Sequence, residues 1–204
     1  MTLSPITQNP ADFYCQKDGI DYYRCRETQT LFTPEVLDQS EKVGGEAESE
    51  RNSVHNEARA NRIKNIDLNA TVLDFGCGHG YFVQFLRNSG INADGYDPYS
   101  DSFSKMPSGL FDIVTMIEVI EHLQYPYQEI QLIASKLKSE GILYIETSFS
   151  DWVDKNHPYL NPKLGHTTIF SHKGLDVLLA KYRFEPMQHL SRNVRLYKMA
   201  SGII

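Results

Sequence analysis

The sequence predicts an α/β fold built on a doubly wound, mostly parallel sheet, and three observations predict it. From residue 71 onward, short apolar runs of strand type alternate with longer runs of helix type, as helices on both faces of a parallel sheet require. A glycine-rich turn, Gly76-Cys77-Gly78-His79-Gly80, joins the first such strand, TVLDF, to the first such helix, YFVQFL. The chain has 204 residues, enough for one domain with its own core and an appendage but short for two full domains.

Residues 1–50 carry no sustained apolar periodicity. Their last part, EKVGGEAESE at 41–50, is small, acidic and glycine-containing, and reads as a linker. The expected division is an N-terminal cap with its linker over 1–50 and the main domain over 51–204. Over 51–66 the pattern turns helical, with Val54, Ala58 and Ile63 among polar residues. Strands are expected at 71–75, 93–97, 111–118 and 141–147, with two late ones near 186–190 and 195–199. Helices are expected at 81–89, 127–138 and 172–182. In the second of these, Ile130, Leu132, Ile133 and Leu137 form the apolar face, and Gly141 follows as a C-cap glycine would. No internal repeat or low-complexity tract is present.

Composition narrows the function. A net charge of −6 argues against a broad nucleic-acid surface, because phosphate contacts need clustered Lys and Arg. Acids crowd positions 35, 38, 41, 46, 48, 50 and 57, and five bases against Glu185 crowd 181–198. Both read as solvated faces of opposite sign. No run approaches the roughly 18 apolar residues of a membrane span, and the N-terminus lacks the basic and apolar regions of a secretion signal. A cytoplasmic location is therefore expected. Cys15, Cys25 and Cys77 are too few and odd in number for a disulfide framework and read as free thiols.

The chemistry concentrates in three places. At the strand-to-helix turn, glycines let a ligand approach the main chain beside a helix N-terminus. A pyrophosphate would want the spacing G-x-G-x-x-G, whereas here it is G-x-G-x-G over Gly76, Gly78 and Gly80. Asp74, two residues before the first glycine, would repel phosphate but attract an ammonium group, and the loop has no Lys or Arg. S-adenosylmethionine, cationic and without phosphates, fits these demands. Asp97, 23 residues after Asp74 and followed by Pro98, stands where an acid accepts both ribose hydroxyls; the other reading is an Asp that starts a turn. The third place is FDIVTMIEVIEHL, where Met116, Ile117 and Glu118 end a strand and line the cofactor crevice. Glu121 and His122 follow. His122 is either a general base for a substrate hydroxyl or a histidine that only packs or caps.

Together VLDFGCGHG, GYDP and FDIVTMIEVIEHL resemble the class I S-adenosylmethionine-dependent methyltransferases, especially the group around the ubiquinone-biosynthesis O-methyltransferases, over roughly residues 50–200. The resemblance implies a Rossmann-like sheet of order 3-2-1-4-5-7-6 with the last strand antiparallel. It places the methionine end of the cofactor on Asp74, Gly76 and Gly78, the ribose on Asp97, and the methyl group against residues 116–118. It also implies a small-molecule methyl acceptor, with oxygen as the acceptor atom, and S-adenosylhomocysteine as the product.

Three departures from that pattern matter. Residues 98–110 are too few for the usual helix plus third strand, so that strand should be shortened or absent; this removes the segment that normally touches adenine, for which Tyr99 and the residues around Ser102 and Phe103 are weak substitutes, and leaves the adenine contact open. Cys15-x-x-Asp18-Gly19 and Tyr23-Arg24-Cys25-x-x-Thr28 look like two zinc-ribbon knuckles, each lacking its second cysteine; a degenerate ribbon without zinc is expected. Glu118-x-x-Glu121-His122, with His166, resembles the divalent-metal cluster of the small-RNA 2′-O-methyltransferases, which leaves metal binding open. The segment 148–171, with Trp152, Tyr159 and Phe170, is expected to wall the acceptor pocket. The missing strand motivates a competing reading, a non-catalytic cofactor-binding or scaffold protein. A nicotinamide-dependent oxidoreductase is disfavoured by the glycine spacing.

Overall fold

The computed structural model describes residues 1–37, 50–123 and 126–201. Strands β1 (Thr2–Leu3), β2 (Pro10–Lys17), β3 (Ile20–Cys25) and β4 (Leu31–Phe32) come first, followed by helix α1 (Glu50–Ile66), strand β5 (Thr71–Phe75), helix α2 (Tyr81–Asn88), and strands β6 (Asn92–Tyr96) and β7 (Phe111–Ile117). A 3₁₀ turn (Ile120–His122) leads to helix α3 (Pro126–Ala134) and strand β8 (Leu137–Glu146). The chain closes with β9 (Thr168–Ile169), α4 (His172–Ala180), β10 (Phe184–Ser191) and β11 (Val194–Met199).

Two sheets result. The larger has the order β10-β11-β8-β7-β5-β6. Its central pairs β5/β6, β5/β7 and β7/β8 are parallel, and β11 runs antiparallel to both β8 and β10. Side chains of α3 and α4, among them Ile130, Ile133, Leu175 and Leu178, pack with Leu73, Val114 and Leu143 on one face. Ala60 and Ile63 of α1 and Val83 and Leu86 of α2 pack with Val72, Ile113 and Leu196 on the other. β5 is thus packed on both sides, which is why TVLDF reads as a continuous run and not as an alternation. Among the described residues no strand lies beyond β6.

Helix α2 shows how local chemistry sets the element boundaries. It ends in paired bonds from the Ile91 N–H to the Leu86 carbonyl (2.9 Å) and from the Gly90 N–H to the Arg87 carbonyl (3.0 Å), with Gly90 at φ 80°. This is the left-handed glycine stop, with Leu86 and Ile91 in apolar contact across it. The third helix ends earlier than its periodicity predicts. Leu137 leaves the helical face and pairs with Phe111 at the start of β8, drawn by burial and by the Phe111 N–H bond to the Lys136 carbonyl. Gly141 is therefore not a C-cap: it lies inside β8, beyond a register shift, where a Cβ would meet the Lys138 carbonyl at 2.9 Å. In α1, Ala60 and Ile63 face the core, while Val54 and Ala58 are exposed.

The N-terminal segment corrects the sequence reading most. Residues 2–32 form a sheet of order β1-β2-β3-β4-β9, antiparallel throughout, whose fifth strand comes from residues 168–169. Asp18 and Gly19, read as half of a zinc knuckle, form the two-residue turn of the β2/β3 hairpin, at φ 48° and 85°. Cys15 pairs in register with Tyr22 and Cys25 with Ala11, so the two cysteines occupy different rungs of the ladder. A bulge between Phe13 and Cys15 shifts the alternation by one residue, which hid the strand from a period-two search. The linker expected at 41–50 lies outside the described residues up to 49, and residue 50 begins α1.

The basic run at 181–198 is not one face. Arg195 is buried against Asp176, Lys198 meets Glu140, and Lys181 lies over the Tyr127 ring. Among the described residues no helix is long and apolar enough to cross a membrane.

Asp112, where β7 begins, ties three strands through its carboxylate. It accepts from the Lys138 ammonium (2.8 Å) and from the Thr71 N–H (2.9 Å) and hydroxyl (2.6 Å). Burial alone would raise its pKa, but these donors outweigh it and hold it at about 2. An acid depressed in this way stabilises the fold above its ordinary range, and the contribution fades as pH falls from about 4 toward 2. Asp112→Asn should cost about 1–2 kcal/mol in urea unfolding at pH 7. The gap from wild type should narrow over that acid window; an equal gap at pH 7 and at pH 2 would count against the ion pair.

Candidate active site

The turn after β5 is held open by backbone geometry. Gly76, Gly78 and Gly80 stand at φ 79°, 55° and 81°, the left-handed region that a side chain disfavours. The Gly76 N–H donates to the Tyr96 carbonyl (2.7 Å), tying the loop to the end of β6. Asp97, buried just past β6, accepts the Gly78 N–H on Oδ2 (2.9 Å) and the Tyr99 N–H on Oδ1 (2.9 Å). It therefore both starts a turn and latches the glycine loop. The two sequence readings of Asp97 are compatible, since each oxygen keeps a lone pair. Pro98 and Tyr99 beside it are exposed.

Asp74 is buried within the sheet and accepts the Thr115 hydroxyl at 2.6 Å. Burial pushes its pKa up to about 6 and Asp97 adds to the rise, while Thr115 and Arg59 oppose it. Arg59, which sequence reasoning missed, reaches over from α1. Its guanidinium donates to Glu146 Oε1 (2.7 Å) at the end of β8 and to Asn56 (3.0 Å). The Tyr144 hydroxyl donates to the other Glu146 oxygen (2.9 Å). No spacing rule marks Arg59, because its partner is 87 residues away.

The second half of the site lies past the carboxyl ends of β7 and β8. The Met116 side chain is fully buried in the core, so only its main chain is available to a ligand; Ile117 is partly buried. Glu118 leaves the strand at φ 52° with its N–H on the Glu146 carbonyl (2.8 Å) and stays exposed. The next turn carries Glu121, which has no exposure. Its carboxylate accepts the Thr147 hydroxyl (3.0 Å) and the Tyr159 hydroxyl, and its carbonyl accepts the Thr167 N–H (2.8 Å) and hydroxyl (3.1 Å). Burial and then the charge of Glu118 drive its pKa well above the carboxylate range.

His122 is half-buried beside this cluster, its ring 4.7 Å from that of His166 in an edge-to-face arrangement. His166 Nδ1 lies 2.6 Å from the Tyr159 carbonyl, and the Tyr159 and His166 rings are 4.4 Å apart. Ligand atoms of Glu121, His122 and His166 all fall within 4.8 Å of one another. Of the aromatic residues expected to wall a pocket, only Tyr159 reaches this cluster. Trp152 packs on Phe149 and His172 near the start of α4, and Phe170 is core. Phe103 folds back over the glycine loop, at the positions a Cβ on Gly80 or Gly95 would take.

A parallel sheet with a glycine loop after its first core strand, an acid after the next, and polar groups past the two that follow defines the class: a methyltransferase domain of the S-adenosylmethionine-dependent type. The chain belongs to the family described as a methyltransferase domain, which matches residues 47–189. It is 32% identical over 124 residues to the mitochondrial ubiquinone biosynthesis O-methyltransferase of Candida albicans, covering 48% of this chain and 38% of that one. It is 29% identical over 104 residues to the ubiquinone biosynthesis O-methyltransferase of Glaesserella parasuis, covering 37% and 44%. The chain thus matches less than half the length of either relative. In fold it is similar to the 1,6-didemethyltoxoflavin-N1-methyltransferase of Burkholderia thailandensis, solved with S-adenosylhomocysteine, at a TM-score of 0.50 and 13% identity over 86% of this chain and 98% of that one.

The glycine loop is testable on its own. At Gly76 a Cβ would lie 2.5 Å from Val119 Cγ2, on a backbone of positive φ. Gly76→Ala should therefore lose about 1–3 kcal/mol of stability from strain and contact together. Adding Val119→Ala should return only part of the loss, since the contact goes and the strain stays. Full recovery in thermal denaturation would show that the backbone angle costs nothing.

Proposed function

We propose that this chain moves the methyl group of S-adenosylmethionine to an oxygen of a small-molecule acceptor, with His122 as the general base. The observation that carries the reading is the polar cluster of His122, His166, Glu121 and Tyr159, gathered past the strand ends that flank the glycine loop. In an in-line displacement the acceptor oxygen forms a bond to the methyl carbon as the carbon–sulfur bond breaks. The sulfonium becomes a neutral thioether and the hydroxyl proton passes to the imidazole. Positioning supplies most of the acceleration.

Oxygen is favoured over nitrogen on chemical grounds. A neutral amine attacks through a lone pair it already has, whereas a phenol near pH 7 must lose its proton as the bond forms, and a histidine near the reaction serves that need. The names of the two ubiquinone-biosynthesis relatives point the same way, while that of the toxoflavin enzyme points to nitrogen, so an acceptor screen should span catechols, phenols and amines. Asp74, Gly76 and Gly78 hold the methionine end in this reading. Asp97 and Pro98 meet the ribose, and the main chain of Met116, Ile117 and Glu118 faces the methyl group. Three free thiols suit a reducing cytoplasm.

A second reading, metal-assisted O-methylation, rests on the convergence of Glu121, His122 and His166. The donor types suit a divalent ion, with two imidazoles and a carboxylate. Both carboxylate oxygens of Glu121 already accept hydroxyls, so an ion would have to displace at least one of them.

Two measurements test these assignments. Because Asp74 titrates near 6, its charge is present above that pH and lost below it. Affinity for S-adenosylhomocysteine, read by calorimetry, should fall as pH drops from 7.5 to 5, and Asp74→Asn should be weaker at pH 7.5 and flat across the range; a wild-type profile in the variant would remove Asp74 from the cofactor site. His122→Ala should lower turnover about 10²-fold or more with cofactor affinity nearly unchanged, and chelator should have no effect on wild type. Loss of activity on chelation, restored by Mg²⁺ or Mn²⁺, would favour the metal reading instead.

A further inference from the structure

The N-terminal sheet enters the reactive cluster through one side chain. Tyr22 of β3 is fully buried in a small apolar core with Leu31, Val153, Leu160 and Ile169, and Tyr159 packs against the same core. A phenol hydroxyl in such a place must find an acceptor, and this one donates to the carbonyl of His166 at 2.6 Å, across 144 residues of chain. The contact continues a seam. β4 pairs with β9 through Leu31/Ile169 and Phe32/Thr168, and the Thr33 N–H donates to the Thr167 carbonyl (2.9 Å). The Tyr22 bond extends the seam to the residue whose ring meets His122.

His166 is thereby fixed from several sides. Its carbonyl takes the Tyr22 hydroxyl. Its Nδ1 faces the Tyr159 carbonyl at 2.6 Å, and since a carbonyl only accepts, that nitrogen carries the proton and the ring has one tautomer. The next residue, Thr167, is bonded to the Glu121 carbonyl, one residue before His122. A ring held edge-to-face at 4.7 Å from His122 can set that neighbour's rotamer only if its own backbone is fixed. We propose that Tyr22 is a positioning residue for the His122–His166 pair, acting from the N-terminal sheet through the His166 carbonyl. The inference rests on the reading of this pair as the reactive centre, but its placement can be tested without an acceptor.

Tyr22→Phe removes the hydroxyl and keeps the ring. In protein labelled with ¹⁵N-histidine, long-range imidazole correlation spectra resolve the seven histidines, and His122→Ala and His166→Ala assign the two of interest. Tyr22→Phe should move the His166 and His122 resonances and leave the other five in place. Calorimetry should show S-adenosylhomocysteine affinity within about twofold of wild type, as expected for a change remote from the glycine loop. A lower melting temperature with both resonances unmoved would make Tyr22 merely structural and overturn the proposal. The His166→Ala chain keeps the carbonyl but loses the ring, so in that background Tyr22→Phe should shift His122 no further; additional movement would show that the effect bypasses the His166 ring and would also overturn the proposal. A wild-type rate for His122→Ala would remove the base role while leaving these spectra unchanged, so the two failures are separable.

Discussion

The constraint on which the polar cluster past the strand ends depends is the burial of the Glu121 carboxyl group. Ionising an acid with no exposure costs several kcal/mol, which drives its pKa well above the carboxylate range, and in either protonation state its oxygens need neighbours that replace the lost hydration. Here those neighbours come from separate elements: Thr147 from the end of β8 and Tyr159 from the long connection after it, with Thr167, just before β9, on the carbonyl of the same residue. Satisfying one buried acid therefore draws Thr147 and Tyr159 together past β7, and the backbone bonds of Thr167 add a third stretch of chain beside them. Glu118 on the preceding turn raises the demand, because two acids this close resist ionising together. The imidazoles of His122 and His166 sit beside this arrangement, and their geometry follows from it.

The glycine-loop end obeys a different logic. There the side chains are small and the main chain does the shaping, with three glycines at positive φ and one buried aspartate closing the loop. Shortening of the chain after β6 leaves that strand as a sheet edge. Arg87 covers part of it, donating to the Ala93 carbonyl (2.7 Å) and pairing with Asp94. Phe103 covers another part by lying against Gly80 and Gly95. A charged side chain and a folded-back ring thus protect an edge that would otherwise offer open backbone groups to another chain.

How much was legible in the sequence depends on the range over which each signal acts. The core strands, α2 and the glycine loop were readable because local residues determine them: apolar runs, a glycine stop at Gly90, glycines where φ must be positive. The end of α3 was misplaced because Ile130, Ile133 and Leu137 fit a helical face equally well, and pairing with β7 decided the matter. The N-terminal strands were missed for two reasons. A bulge interrupts their alternation, and the last strand of their sheet comes from residues 168–169, far along the chain. Asp18-Gly19 was nonetheless a hairpin signal in plain sight. Within the site, Asp97 and His122 were named from position alone, whereas Arg59 and Thr147 acquire meaning only through partners distant in sequence, and Tyr159, expected as a pocket wall, gains from such a partner its bond to Glu121.

The origin of β9 also bears on the order in which the molecule assembles. The strands of residues 2–32 leave the ribosome well before β9 does, and the seam that completes their sheet includes Tyr22 bonded to a residue 144 positions later. At synthesis rates of about 5–20 residues per second, that partner arrives on the order of ten seconds later. Until then the hairpin has an open strand edge, and a hairpin alone is marginal in water. The parallel sheet can form its central strands without this segment, so the glycine loop can mature before the His122–His166 cluster does. Completion of the N-terminal sheet is then a late, long-range event in biosynthesis, and nascent chains stalled before residue 168 would have a glycine loop but no β4/β9 seam beside His166.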